Sequence, residues 1–420
     1  MRARTIGTGS VLACVALTIA ACSTPVSPTL RPTDTPITSA TAPSPSGSGA
    51  GGTPSTEPTA PVDSPNASAS ASPLPTGDGS GVIPSGTRPA DTVPITRLAP
   101  GERPPQFVVV SFDGACKPSL FRHYLALGKA TGARFTFFLS GLCLVPEAKR
   151  SLYHPPRKPT GTSAIGFATA GRVPDRIALM TTAYDTGHEV GTHFLGHFCD
   201  AKGVGSWSQA DWASEMAQAK YFLDRWKEIN APRGQQLTLP FDSSSWKGDR
   251  TPCLQGIRSA MYPVFAKAGF AYDASSAGTL VWPKRLSGYR MWEFPLQRIK
   301  VVGFGKTNLS MDYNLLVAQN GGKITASPAQ CARIEASTYQ SYSQALAAVH
   351  NGNRAPFFVG NHFNEWTCGS YTKALTRFVT DSSATYPDVR FVTFEYLARW
   401  LDAQDPTVLA ALRAKPAPRY

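Results

Sequence analysis

No aromatic residue precedes Phe107, and that fact most limits what the first quarter of this chain can build. From Ser23 to Pro105 the sequence is Pro, Ser, Thr and Gly, with half of the chain's 36 prolines and none of its 8 Trp, 14 Tyr and 21 Phe. Such a segment buries too little apolar surface to offset its ordering entropy. A disordered low-complexity linker is therefore expected over 23–105, and one folded domain over 106–420. This excludes a multi-pass membrane protein, a small disulfide knot and a second folded domain at the N-terminus. The charge divides at the same place. Six arginines (2, 4, 31, 88, 97, 103) balance six carboxylates (34, 57, 63, 78, 91, 102), so the whole +13 falls on the folded part. A diffusely basic domain with no Lys/Arg run suits an anionic polymer of a cell wall, and no nucleic-acid partner is expected.

Residues 1–22 read as an export signal: Arg2 and Arg4, an apolar core Val11–Ala21, then small residues. The core is too short to span a bilayer. Ile19-Ala20-Ala21-Cys22 resembles the bacterial lipobox, which would make Cys22 the lipidated N-terminus of an exported protein facing the cell wall. The linker then becomes a semi-extended stalk. Outside the cytoplasm the domain's six cysteines (116, 143, 199, 253, 331, 368) are expected to form three disulfides, and the sequence allows 15 pairings.

Within the domain, short β-rich runs alternate with amphipathic segments. Phe107–Phe112, Arg134–Leu139, His188–Thr192, Phe270–Asp273, Tyr289–Ile299, Ala355–His362 and Val389–Phe394 predict strands. Leu120–Ala130, Asp175–Thr186, Ser208–Ile229, Ile257–Ala268, Tyr339–His350, Tyr371–Thr380 and Phe394–Leu401 predict helices, and Ser208 with Asp211 reads as a capping pair. The polar stretch Glu147–Arg172 reads as an insertion. Alternation of this kind argues for an α/β fold around a parallel sheet or barrel, with chemistry at the carboxyl ends of the strands.

Three of those ends carry suitable groups: Asp113 after the first strand, His193 and His197 after the third, and His362 after a late one. Gly191 and Gly196 argue that His193 and His197 sit on a loop rather than on one helix face. The order Ser111-Phe-Asp113, then Gly187-His-Glu-Val-Gly-Thr-His193-Phe-Leu-Gly-His197, resembles the polysaccharide deacetylase family. Arg250-Thr-Pro-Cys253, Phe270-Ala-Tyr-Asp-Ala-Ser-Ser276, Met291-Trp-Glu-Phe-Pro-Leu296 and Asn353-Arg-Ala-Pro-Phe357 before His362 continue the likeness in the family's order.

The resemblance implies a distorted (β/α)7 barrel and a monomeric, metal-dependent enzyme. It would remove acetyl groups from a polysaccharide, most simply an N-acetylglucosamine-containing glycan of the envelope. By the same likeness His193 and His197 hold a divalent metal, usually zinc, with cobalt as a competitor. Asp113 becomes the base that deprotonates a metal-bound water, His362 the acid that protonates the leaving amine, and Arg250 the clamp that orients Asp113. Asp312 would raise the pKa of that acid. Trp366, four residues past His362, is the expected sugar-stacking residue, with Trp246, Trp282, Tyr289 and Tyr371 as further candidate aromatics. One position departs from the pattern: the family's metal-ligand Asp is Gly114 here. Three outcomes stay open. A third ligand comes from Asp113 itself or from Asp200 or Asp242; two histidines hold an exchangeable metal; or the domain is a catalytically impaired relative that only binds glycan.

Overall fold

A computed structural model describes residues 93–420. The signal, Cys22 and the linker up to residue 92 lie outside the described residues. Seven parallel strands curl into an open barrel. They are β1 (Gln106–Gly114), β2 (Thr136–Leu139), β3 (Glu189–Thr192), β4 (Gly248–Asp249), β5 (Tyr272–Asp273), β6 (Trp292–Glu293) and β7 (Phe357–His362). Their lateral order is β7-β1-β2-β3-β4-β5-β6, every neighbouring pair is parallel, and Lys284–Arg285 adds a short antiparallel edge beyond β6. The expected α/β class built on a curled, parallel-rich sheet therefore holds, with β4 a strand that the predicted runs did not include.

The distortion lies between β6 and β7, which do not pair. The strand Leu296–Val301 fills the gap, and its Gln297 takes the place of a ladder. Gln297 Nε2 donates to the Pro356 carbonyl at 2.8 Å, and its Oε1 accepts the Phe358 amide at 3.0 Å. Val389–Phe391 runs parallel to the first half of β1, below the point where β2 takes over the same edge.

Strands buried on both faces need apolar residues at successive positions, and β1 supplies Phe107, Val108, Val109, Val110 and Phe112, all fully buried. Inside the barrel Phe394 packs on Phe138, Phe294 and Phe358, with ring centroids 5.3–5.9 Å apart. Outside, the helix Pro118–Thr131 begins with Pro at its first position and stops at Gly132, whose φ of 74° suits a left-handed C-cap. It buries Leu120, Phe121, Tyr124 and Leu127. The helix Gln209–Asp224 carries the expected capping box on Ser208 and Asp211, a feature worth about 1 kcal/mol.

Several boundaries move. The stretch expected as one strand over Tyr289–Ile299 breaks at Phe294-Pro295 into β6 and the Leu296–Val301 strand, because proline cannot donate to a ladder. The two late helices extend to Pro328–Asn351 and Trp366–Thr385. The packed chain also starts before Gln106. Leu98 is buried with its amide on Gln404 Oε1, and the Pro104 carbonyl accepts Arg354. The linker boundary at 105 is thus corrected. A segment without aromatics still docks here, because its backbone carbonyls find buried donors on the barrel. The six cysteines form Cys116–Cys143, Cys199–Cys253 and Cys331–Cys368. Among the described residues no helix is long and apolar enough to cross a membrane.

Candidate metal and acid–base site

The barrel register brings the chemistry together. Asp113, the penultimate residue of β1, is the direct neighbour of His362, the last residue of β7. Two strands further along the sheet, β3 ends at Thr192 and runs into the histidine loop. The chain past β4 adds Arg250, whose amide donates to the Thr192 carbonyl at 3.1 Å.

Arg250 is fully buried and crosses the interior. Its Nη1 lies 3.3 Å from both oxygens of Asp113, its Nη2 donates to Ser111 Oγ at 3.3 Å, and its guanidinium lies over the Phe138 ring. Gly360 makes room for it: a Cβ there would sit 3.3 Å from Arg250 Nη1 and 3.1 Å from Met311. Burial pushes the Asp113 carboxyl up, but Arg250 and the three surrounding histidines hold it below its ordinary value. Asp113 is therefore an ionised acceptor at neutral pH.

The two loop histidines differ from His362. His193 is buried, and its Nδ1 donates to the Arg250 carbonyl at 2.7 Å. That bond fixes the tautomer and leaves the Nε2 lone pair uncommitted. Burial lowers the pKa of His193, and burial with the neighbouring imidazoles lowers that of His197 to about 3. Their ring centroids are 5.1 Å apart. As expected from its glycines, the segment is a loop, with φ of 57° at Phe194 and 54° at His197.

For His362 burial again favours the neutral ring, but Asp312 outweighs it and raises the pKa. Asp312 is fully buried. Its Oδ1 takes His362 Nδ1 at 2.7 Å, and its Oδ2 takes the His362 amide at 2.7 Å and Asn364 Nδ2 at 2.6 Å. The expected pairing of Asp312 with the acid is present. Asn364 was not legible in the sequence, and only its position two residues past a strand-end histidine hinted at it.

Trp366 lies beside His362, with centroids 5.6 Å apart, and Tyr313 packs on its edge. Three left-handed residues, Thr367, Cys368 and Gly369, shape this turn, and Cys368 is tied to Cys331. The other candidate aromatics fall away. Trp246, Trp282 and Tyr371 are buried core residues, with Trp282 bonded to the Asn353 carbonyl and Tyr371 to Gln319. Tyr289 packs on Tyr262.

Gly114 has a φ of 82°, and a Cβ there would meet nothing within 4 Å. Neither suggested substitute ligand reaches the site. Asp200 is exposed and pairs with Lys158, and Asp242 is exposed and caps the turn Ser243–Ser245. Loop geometry commits both side chains locally, which a sequence cannot reveal. His197, Cys199 and Cys253 place three donor atoms within 4.8 Å of one another, but both sulfurs are spent in a disulfide. What remains is two neutral imidazoles, one with a fixed free nitrogen, beside an ionised carboxylate. By donor type that nitrogen-rich set with one oxygen suits a borderline divalent cation such as Zn²⁺, while its three ligand atoms do not all lie within 4.8 Å of one another.

No family model matches the sequence, and no curated protein matches it. Solved structures do align. A candidate polysaccharide deacetylase from Mycobacterium smegmatis is 15% identical, with 78% of this chain and 100% of that one covered at a TM-score of 0.44. The Xyl-CE4 domain of a multidomain xylanase from the hindgut metagenome of Trinervitermes trinervoides is 12% identical, covering 71% and 92% at 0.37. A CE4-family pseudoenzyme from Bacillus anthracis is 11% identical, covering 73% and 70% at 0.36.

Proposed function

We propose that this domain is a metal-dependent deacetylase of an envelope polysaccharide, an N-acetylglucosamine-containing glycan first of all. The observation that carries the reading is the register pairing of an ionised Asp113 with a His362 whose pKa is raised, beside two imidazoles held neutral. His193 through Nε2, His197 and Asp113 would hold the cation. Bound there, Zn²⁺ would polarise an acetyl carbonyl and ease the ionisation of a water. Asp113 accepts the water's proton, since Arg250 keeps it charged and aimed. His362 gives its proton to the departing amine, and Asp312 keeps that proton available at neutral pH. Trp366, beside His362, offers a face to a sugar ring. The sequence motifs of the first section support the same assignment of roles. Cys22 would tether the domain to the membrane, and its positive charge would retain it on anionic wall polymers.

The test is acetate release from N-acetylated chitooligosaccharide and from peptidoglycan, with chelator and after adding Zn²⁺ or Co²⁺. The proposal expects chelator-sensitive release that Asp113→Asn and His362→Ala abolish. Gly114 favours a second reading, a glycan-binding relative without turnover, because it leaves the cation one carboxylate short. Glycan binding with no release under any metal would establish that reading and end the first.

A further inference from the structure

One buried carboxylate has no part in the chemistry above. Glu215 lies on the helix Gln209–Asp224, on the same buried face as Trp212, Met216 and Ala219, and is 1% exposed. A carboxylate in that place is costly unless donors surround it. Three do. Glu215 Oε1 accepts the Leu195 amide at 3.1 Å and the Gly196 amide at 3.3 Å, and the Tyr153 hydroxyl donates at 2.9 Å to Oε2 and 3.1 Å to Oε1.

These amides belong to two of the three residues between His193 and His197. Tyr153 comes from the Glu147–Arg172 insertion, and so does Ala164, whose amide donates to the Gly196 carbonyl at 2.9 Å. The loop's amides are thus held by the helix and one of its carbonyls by the insertion. The loop needs such support. Left-handed backbone at Phe194 and His197 costs roughly 1–2 kcal/mol each and persists only where the surroundings enforce it. Phe194 is pinned by Trp212 and Phe265. Glu215 fixes the two residues that follow it. Burial raises the Glu215 carboxyl to about 7 against the opposing pull of its hydrogen bonds. Protonated or not, Oε1 can still accept both amides.

From this geometry we infer that Glu215, joined to Tyr153, is the positioning residue of the His193–His197 pair, and that the 147–172 insertion is the brace of that loop. The inference rests on reading the two histidines as metal ligands. A site with two imidazoles and one carboxylate has few protein ligands, so its affinity depends on how well those few are pre-oriented.

The experiment uses the full chain with Glu215→Gln, Glu215→Ala and Tyr153→Phe, and two readouts. Amide hydrogen exchange at Leu195 and Gly196 needs no metal. Zn²⁺ affinity is measured by competition with a chromogenic chelator. Glu215→Ala is expected to speed exchange at both amides about tenfold or more and to weaken Zn²⁺ about 10–100-fold. Glu215→Gln keeps a carbonyl acceptor and should stay within about threefold on both, a rescue that bulk stability alone would not produce. A folded Glu215→Ala with both quantities within about twofold of wild type would overturn the inference, as would a Gln variant as damaged as the Ala one. If Glu215→Ala does not fold, Tyr153→Phe decides: unchanged exchange at Gly196 and unchanged Zn²⁺ affinity would overturn it. A wild type that binds no Zn²⁺ yet shows the exchange pattern would sink the metal reading and leave the loop brace standing.

Discussion

The two sides of the site use the same side chain to opposite ends. On the β3 side, His193 is buried and His197 half-buried beside it, and the anion that acts on both is Asp113, itself matched by Arg250. Burial wins and the rings are neutral. On the β7 side, His362 is half-buried like His197 but sits on a fully buried Asp312 that has no arginine partner among the described contacts. The counter-charge wins and raises the pKa of the ring. An imidazole's role as ligand or acid is thus set by what surrounds it.

The sharpest way to break that contrast is Asp312→Asn. Without its counter-charge, His362 should become as neutral as His193. Its titration, followed by NMR, should move downward, and acetate release at neutral pH should fall by about 10²–10⁴-fold. The alkaline limb of the pH profile should shift to lower pH. Stability carries the same signature. A histidine with a raised folded pKa contributes in full below its ordinary 6.5 and loses that contribution as pH rises through the folded value. The stability gap between wild type and Asp312→Asn, from denaturant titrations, should therefore be widest in mild acid and close toward alkaline pH. A gap that widens with pH would refute the ion pair.

Each side also has its own disulfide. Cys199–Cys253 touches His197, with Cys199 Sγ 3.6 Å from Nδ1, and Cys331–Cys368 shapes the Trp366 turn. Replacing either pair by serines should cost about 2–4 kcal/mol in chemical denaturation. The division of labour is the finer check. Loss of Cys199–Cys253 should weaken Zn²⁺ and spare the His362 titration, and loss of Cys331–Cys368 should do the reverse on sugar binding.

Gly114→Asp, at the end of β1 beside Asp113, probes the cation-holding side. Open space receives the side chain, but a φ of 82° costs an L-residue about 1–2 kcal/mol. The variant should unfold earlier in denaturant yet hold Zn²⁺ more tightly in equilibrium dialysis. The smallest effect is expected from Trp366→Ala: a loss of about 0.5–1.5 kcal/mol in oligosaccharide binding, read as a raised KM with kcat nearly kept.

The sequence was most legible where function follows local order. The curled parallel sheet was written in alternating runs, and Asp113, His193, His197, Arg250 and His362 stood at motif positions. Gly191 and Gly196 announced a loop in place of a helix. Glu215 left one trace, a carboxylate on the apolar stripe of Trp212 and Met216, which its neighbours alone could not interpret. The aromatics were least legible. Trp246, Trp282 and Tyr371 carry the same ring surface as Trp366, and only packing distinguishes core from groove.

By itself the sequence determined the aromatic-free N-terminal quarter, the fold class, the residue types at the strand ends and the presence of enough cysteines for three bridges. These follow from composition and from short periodic patterns, which act over one turn or one strand. Tertiary structure decided which cysteines pair, that Asp312 meets His362 across 50 residues, and that Tyr153 and Glu215 meet across 62. It also decided that the chain from Leu98 packs on the barrel. Contacts of that kind depend on how the barrel closes, and the free energy that selects them comes from burial shared by the whole domain rather than from any local segment.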